Sequence, residues 1–280
     1  MVAVGLALAT ALIWGAVDFV AGVKSRSSGA LAVIALSQPA GLVLIAVLTA
    51  ARGESPPDRA HLLYAAAAGA ASVVGLTALY QGLAVGLMSV VAPITATGAA
   101  IPVVVGIARG EDPSWLQGIG LPIALLGVVL ASLEPRGTRS GGGRVAAGVG
   151  LALIGALGLG GFFVAFDEAS EGSIWWAVLI QRVTLVGLLV VPAIVMRDRL
   201  VPRRRDVWPI VAIGLFDVTA LTMLAEATTR GLLSVVSVVS SLYPIGTVLL
   251  AQLVLGERIS LPQRLGVASA CAGVGLVSAG

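Results

Sequence analysis

Residues 86–132 of this chain are written a second time at 231–278, and both copies are apolar enough to live in lipid. Gly86-Leu87-Met88-Ser89-Val90-Val91 returns 145 residues later as Gly231-Leu232-Leu233-Ser234-Val235-Val236. After one residue of drift, Gly110-Glu111 returns as Gly256-Glu257, and Gln117, Gly120, Gly127, Leu130 and Ser132 return as Gln263, Gly266, Gly273, Leu276 and Ser278. A weaker match at an offset of 143 sets Gly15, Phe19 and Gln38 on Gly158, Phe162 and Gln181, which extends the duplication to the whole chain. Self-similarity on this scale constrains the fold before any local reading does.

Composition puts both units in a membrane. Hydrophobic residues make up 58 % of the chain and charged residues 11 %, against about 45–50 % and 25 % in soluble domains. The 36 glycines suit spanning helices, whose backbones approach closely where lipid offers no hydrophobic drive; Gly82/Gly86 and Gly106/Gly110 have the small-xxx-small spacing. The net charge of +3 comes from basic residues in short loops, with no basic face for nucleic acid. The single cysteine, Cys271, excludes a disulfide framework and a thiol metal site. The first apolar stretch contains Asp18, ends in Lys24 and Arg26 rather than small residues, and has no basic leader, so it reads as a retained helix and not a signal peptide.

A bilayer core about 30 Å thick takes about 20 apolar residues per helix. Ten such stretches are predicted, at roughly 2–23, 30–51, 61–82, 86–108, 114–133, 145–166, 174–196, 208–229, 232–254 and 260–279. The Gly- and Ser-rich segment 135–144 is a flexible linker, which divides the chain into five-helix repeats at 1–134 and 145–280. The expected fold is therefore an all-α integral membrane protein of ten transmembrane helices. An odd number of spans per unit inserts the second copy upside down, the plan of many secondary transporters, whose sites lie at the repeat interface. Loops after odd-numbered helices hold twelve Lys and Arg and those after even-numbered helices four, a bias that puts both termini outside the cytoplasm.

Ionisable residues inside spans are costly and mark function. Asp18 lies toward the far end of helix 1, Arg182 near the middle of helix 7 and Asp217 near the middle of helix 8. A buried carboxylate can take up a proton, whereas a neighbouring arginine fixes its charge. Asp18 and Asp217 are thus proton-coupling candidates, and Arg182 with Asp217 reads equally as a structural ion pair. Gln38 and Gln181 are repeat-equivalent and read either as two walls of one cavity or as interhelical glue. Ser234, Ser237 and Ser241 share one face of helix 9; they form a polar stripe on the cavity or bond the carbonyl one turn back. Tyr243 precedes a helix-kinking Pro244, and Trp14 and Tyr80 complete the set of cavity candidates. Glu111 and Glu257, at the ends of helices 4 and 9, read as structural carboxylates that accept from the free amides opening the next helix. Glu226 and Arg230 form an i,i+4 pair.

The two Gly-Glu sites carry a family likeness. The second half reads Ser234-Val-Val-Ser-Val-Val-Ser-Ser-Leu-Tyr-Pro244, Val254-Leu-Gly-Glu-Arg-Ile-Ser260 and Gln263-Arg-Leu-Gly266. This resembles the drug/metabolite transporter superfamily in its EamA-like branch of ten-helix carriers: a small-residue span with a proline, then Gly-Glu, then a last span with spaced glycines. The first half keeps Gly110-Glu111 and Gln117 but has Gly98 where the proline would align, with Pro93 and Pro102 nearby, so the helix-4 bend is expected to differ from that of helix 9. The resemblance implies transport of amino acids, other metabolites or drugs, mostly outward across the bacterial inner membrane. It also implies cytoplasmic termini, against the loop charges, and a cavity built from helices 1–4 and 6–9.

The leading functional reading is a secondary carrier that alternates access around a cavity between the halves. No Gly-x-x-x-x-Gly-Lys-Ser/Thr occurs, so the energy comes from a gradient or from the substrate's own. One histidine, His61, leaves a serine–histidine dyad or histidine metal site without a partner. Asp167-Glu168, in the 6–7 loop, is the nearest thing to an acidic metal cluster, so an intramembrane enzyme is disfavoured. No metal or cofactor is expected. A flippase for a lipid-linked metabolite, its head group in the groove between halves, is the alternative, and a channel ranks below it because no charged ring or carbonyl filter is evident. The expected partners are a small-molecule substrate and the bilayer. Because the duplication supplies both halves, the functional unit is expected to be a monomer.

Overall fold

The computed structural model describes residues 1–86, 88–131, 142–195, 202–255 and 261–279. These form twelve α-helices: α1 (Val2–Ser28), α2 (Ala30–Arg52), α3 (Arg59–Val85), α4 (Met88–Ala96), α5 (Ala100–Ala108), α6 (Trp115–Ala131), α7 (Gly142–Gly172), α8 (Ile174–Val195), α9 (Arg204–Thr228), α10 (Leu233–Ser240), α11 (Tyr243–Leu255) and α12 (Leu261–Ala279). No strand occurs among the described residues. Helices and closed barrels alone satisfy every backbone polar group in lipid. Among the described residues, six helical stretches are long and apolar enough to cross a membrane, and Ile94–Ala108, Trp115–Gly127 and Ile174–Leu189 are shorter apolar ones.

Two spans are broken in their middle. In the first repeat α4 passes through a 3₁₀ turn at Thr97–Ala99 into α5. In the second, α10 stops at Ser240 and α11 starts at Tyr243. The breaks fall at the same place of the repeat but are made differently. Pro244 cannot donate to the ladder behind it, whereas the first half, with Gly98 at the aligned position, tightens into the 3₁₀ turn. Counting each broken helix as one rod gives ten transmembrane helices, five per repeat.

The rods pack as an exchange of the two repeats requires. Helix α3 lies against α7 and α9 against α1; α2 lies against α9 and α8 against α3; α4 meets α11 and α10 meets α5; α6 pairs with α12. Five rods per unit bring the second in from the opposite membrane face, so the repeats are inverted. Two glycines fix the register. Gly69 of α3 and Gly214 of α9, 145 residues apart, each press on a carbonyl of the other repeat: that of Gln181 for Gly69 and that of Ser37 for Gly214. A Cβ at either place would collide with that backbone.

Several helices outrun the predicted spans, and this moves residues. Because α1 continues through Lys24 to Ser28, Asp18 sits well inside the helix rather than near its end. Asp206 is not in a loop but on the first turn of α9, where it is buried and pairs with Lys24 Nζ at 2.6 Å, tying the end of α1 to the start of α9. Asp167 and Glu168 lie on the last turns of α7, and Glu168 pairs with Arg109. Glu226 and Arg230 form the i,i+4 pair at the end of α9.

The carboxylate of Glu111 is a further departure. It does not serve the next helix, α6, whose start is closed reciprocally by Ser114 and Gln117: Ser114 N donates to Gln117 Oε1 at 3.0 Å and Gln117 N to Ser114 Oγ at 3.2 Å. Glu111 instead reaches the opposite repeat, where the free amides of Leu233 and Ser234 at the start of α10 donate to it at 2.5 and 3.1 Å. Glu257, most of the 135–144 linker and the Cys271 side chain lie outside the described residues.

Candidate functional site: a polar cavity between the repeats

Midway along their lengths, α1, α3, α7, α8, α9 and α11 line a cavity of ≈ 50 Å³. Its polar lining comes from Trp14, Asp18 and Ser72 of the first repeat and from Gln181, Arg182, Asp217 and Tyr243 of the second; leucines and the rings of Phe162 and Phe163 complete the walls. Trp14 stands edge-on to Phe163 and Tyr243, with ring centroids 6.2 and 6.4 Å away. Such edge contacts suit the aromatic quadrupole and make a firm corner.

Arg182, on α8, is 1 % exposed. Its Nη1 donates to Asp217 Oδ2 on α9 at 2.9 Å and also to Gln38 Oε1 on α2. The other carboxylate oxygen of Asp217 accepts from Trp14 Nε1 on α1 at 2.9 Å. The pair thus ties together four helices of both repeats. A buried charge is tolerated when paired and hydrogen-bonded, and both conditions hold for Asp217. One helical position before Arg182, Gln181 Nε2 donates to Ser72 Oγ on α3 at 2.9 Å.

Other polar atoms of the cavity have no partner. Asp18 is 5 % exposed and makes neither a hydrogen bond nor an ion pair among the described residues. Gln181 Oε1, Arg182 Nε and Tyr243 Oη are buried without a hydrogen-bond partner among the described residues. In lipid such groups are costly without a partner, and here they gather around one cavity. The volume admits a few waters, well below the roughly 300–1,000 Å³ of ligand pockets.

A family model for the EamA-like transporter family matches residues 1–133 and again 146–279. The chain belongs to the EamA-like transporter family. Each repeat carries one copy of the family's unit, and the protein is a multi-pass membrane transporter of the drug/metabolite type. A solved structure with the printed description "Crystal structure of protein" superposes with a TM-score of 0.78, covering 99 % of this chain and 98 % of that one at 16 % identity; at that identity the likeness concerns the fold. A search of curated proteins found no significant match.

The residues singled out in this transporter's sequence are distributed unevenly. Trp14, Asp18, Gln181, Arg182, Asp217 and Tyr243 line the cavity together. Gln38 stands behind Arg182 and donates from Nε2 to Ser37 Oγ at 3.2 Å. Tyr80 is buried in the surrounding apolar core. The helix-9 serines lie away from the cavity lining: Ser237 donates to the Leu233 carbonyl at 2.5 Å and Ser241 to that of Val238 at 2.8 Å, while Ser234 Oγ is buried with no partner among the described residues. Hydroxyls that bond the preceding turn leave no polar face. Ser72, Phe162 and Phe163 are cavity residues that the sequence reading missed. Ser72 carried a usable signal, since it precedes Asp217 by the repeat offset of 145.

Proposed function

We propose that this protein is a secondary active exporter of small metabolites or drugs across the bacterial inner membrane, working by alternating access around the cavity between its two repeats. The observation that carries the reading is the cavity lined from both repeats and holding a carboxylate, Asp18, with no partner among the described residues. A site shared by two inverted units can be exposed to either side by rocking one unit against the other, with the site itself fixed. One chain provides both units, so the working form is a monomer.

A gradient drives the cycle, and the cavity offers two carboxylates for protons. Both oxygens of Asp217 are held, one by Arg182 and one by Trp14, so Asp18 is the better placed to gain and lose one. Counterflow in proteoliposomes tests the carrier, using a labelled compound selected by stabilisation of the purified protein. Saturable flux accelerated by unlabelled compound on the far side is expected; non-saturating flux with unitary currents would make the protein a channel. Uptake driven by a pH step should be lost in Asp18→Asn. Unchanged pH-driven uptake in both Asp18→Asn and Asp217→Asn would remove proton coupling and leave both as scaffold.

A further inference from the structure

The charges of the cavity restrict what it can hold. Three ionisable side chains of the carboxylate and guanidinium type line it: Asp18, Arg182 and Asp217. Arg182 and Asp217 neutralise each other at 2.9 Å, and the remaining oxygen of Asp217 is taken by Trp14. One carboxylate, Asp18, is left without a counter-charge. Beside it the rings of Trp14, Phe162, Phe163 and Tyr243 present aromatic surface, and Gln181 Oε1 is an unfilled acceptor.

Resting on the reading of this cavity as the transport site, we propose that the substrates are organic cations: a single protonated amine on an apolar body, the ammonium held by Asp18. Each feature of the cavity serves such a ligand. The ammonium supplies the missing counter-charge in a charge-assisted hydrogen bond, Gln181 Oε1 can accept a second N–H, and aromatic faces attract a cation within about 6 Å. The apolar body matches the leucine and phenylalanine walls. Other charge types fare worse. An anion would be placed near two carboxylates in a medium of low dielectric, where like charges repel strongly. A zwitterion would have to take Arg182 from Asp217 and strand a buried carboxylate, or share with Asp217 a guanidinium whose charge that residue already balances.

Four compounds with one body and different charge test this: 2-phenylethylamine, phenylalanine, 3-phenylpropionate and 2-phenylethanol, each titrated against the full-length protein in mild detergent near pH 7 with the thermal midpoint as readout. The amine should raise the midpoint in a saturable way and the other three should not. Asp18→Asn should weaken amine binding by at least about thirtyfold, the lower end for removing one partner of a buried charge pair. Without ligand its midpoint should equal or exceed that of the unaltered protein, because it loses a buried carboxyl that has no partner. Asp18→Glu, which keeps the charge, should recover part of the affinity. A residue with only a structural role would not give this pattern. Stabilisation by the carboxylate or the amino acid as strong as by the amine, stabilisation by none of the four, or amine binding undiminished in Asp18→Asn would each overturn the proposal. Those results leave the carrier standing if counterflow is still seen with some other compound; absence of counterflow with every compound that binds sinks the carrier itself.

Discussion

Position 72 of α3 and position 217 of α9 are the same place in the two repeats, 145 residues apart, and each is approached by a glutamine from the opposite repeat. At the first, Gln181 meets Ser72 directly through a neutral bond of 2.9 Å. At the second, Gln38 does not meet Asp217; Arg182 stands between them and bonds both. Gly69 and Gly214, one turn earlier, press on the opposing α8 and α2 backbones in the same way on both sides. The comparison separates scaffold from chemistry. Backbone crossings, glycine contacts and mid-helix breaks are duplicated, whereas the charge is not: the residue at Arg182's place in the first repeat, by the offset of 143, is Pro39. The two halves thus share one backbone framework, while the ion pair of Arg182 and Asp217 belongs to the second alone.

The largest test of this asymmetry is Arg182→Ala. It strands the Asp217 carboxylate, at a cost of about 3–5 kcal/mol for breaking a buried pair from one side, and should lower the thermal midpoint and the monodisperse yield in detergent. Replacing both partners, with Arg182→Met and Asp217→Leu, should recover most of that loss, since well-packed apolar residues often substitute for a buried pair at no cost. If the double variant is no better than the single one, the pair holds more than its own charges. Next comes the cap that crosses between the repeats. Glu111→Ala deprives the first turn of α10 of its acceptor and should cost about 0.5–2 kcal/mol, again read as thermal midpoint. A value indistinguishable from the unaltered protein would mean that α10 finds another acceptor. The smallest effect belongs to the neutral side: Ser72→Ala removes the interhelical bond from Gln181, worth about 0.6 kcal/mol on average, together with the hydroxyl's own bond to the Ala68 carbonyl one turn back. Should Ser72→Ala destabilise as much as Arg182→Ala, the two sides are energetically alike and the contrast drawn between them fails.

Much of this was legible in the chain. The repeat, read with span length, gives ten helices and their inversion, because the thickness of a bilayer and an odd span count leave little freedom. Asp18, Arg182 and Asp217 stand out as soon as spans are drawn, for the same reason that they are costly. Less visible was what each polar group touches. The serines of helix 9 look like a stripe at helical spacing, yet Ser237 and Ser241 turn their hydroxyls to the carbonyls behind them. Phe162 and Phe163 look like any apolar pair and become walls of the site because α7 crosses beside it.

Sequence alone determined the membrane environment, the duplication, the inverted ten-helix plan and the short set of ionisable residues from which a site could be made. These follow from hydropathy, periodicity and parity, which are local or additive along the chain. Only tertiary structure decided that Arg182 is claimed by Asp217 and Gln38 while Asp18 has no partner among the described residues, and that Glu111 caps a helix of the other repeat rather than its own neighbour. Partner choice depends on where helices cross within a few ångströms, and those crossings are fixed by close packing of residues far apart in sequence.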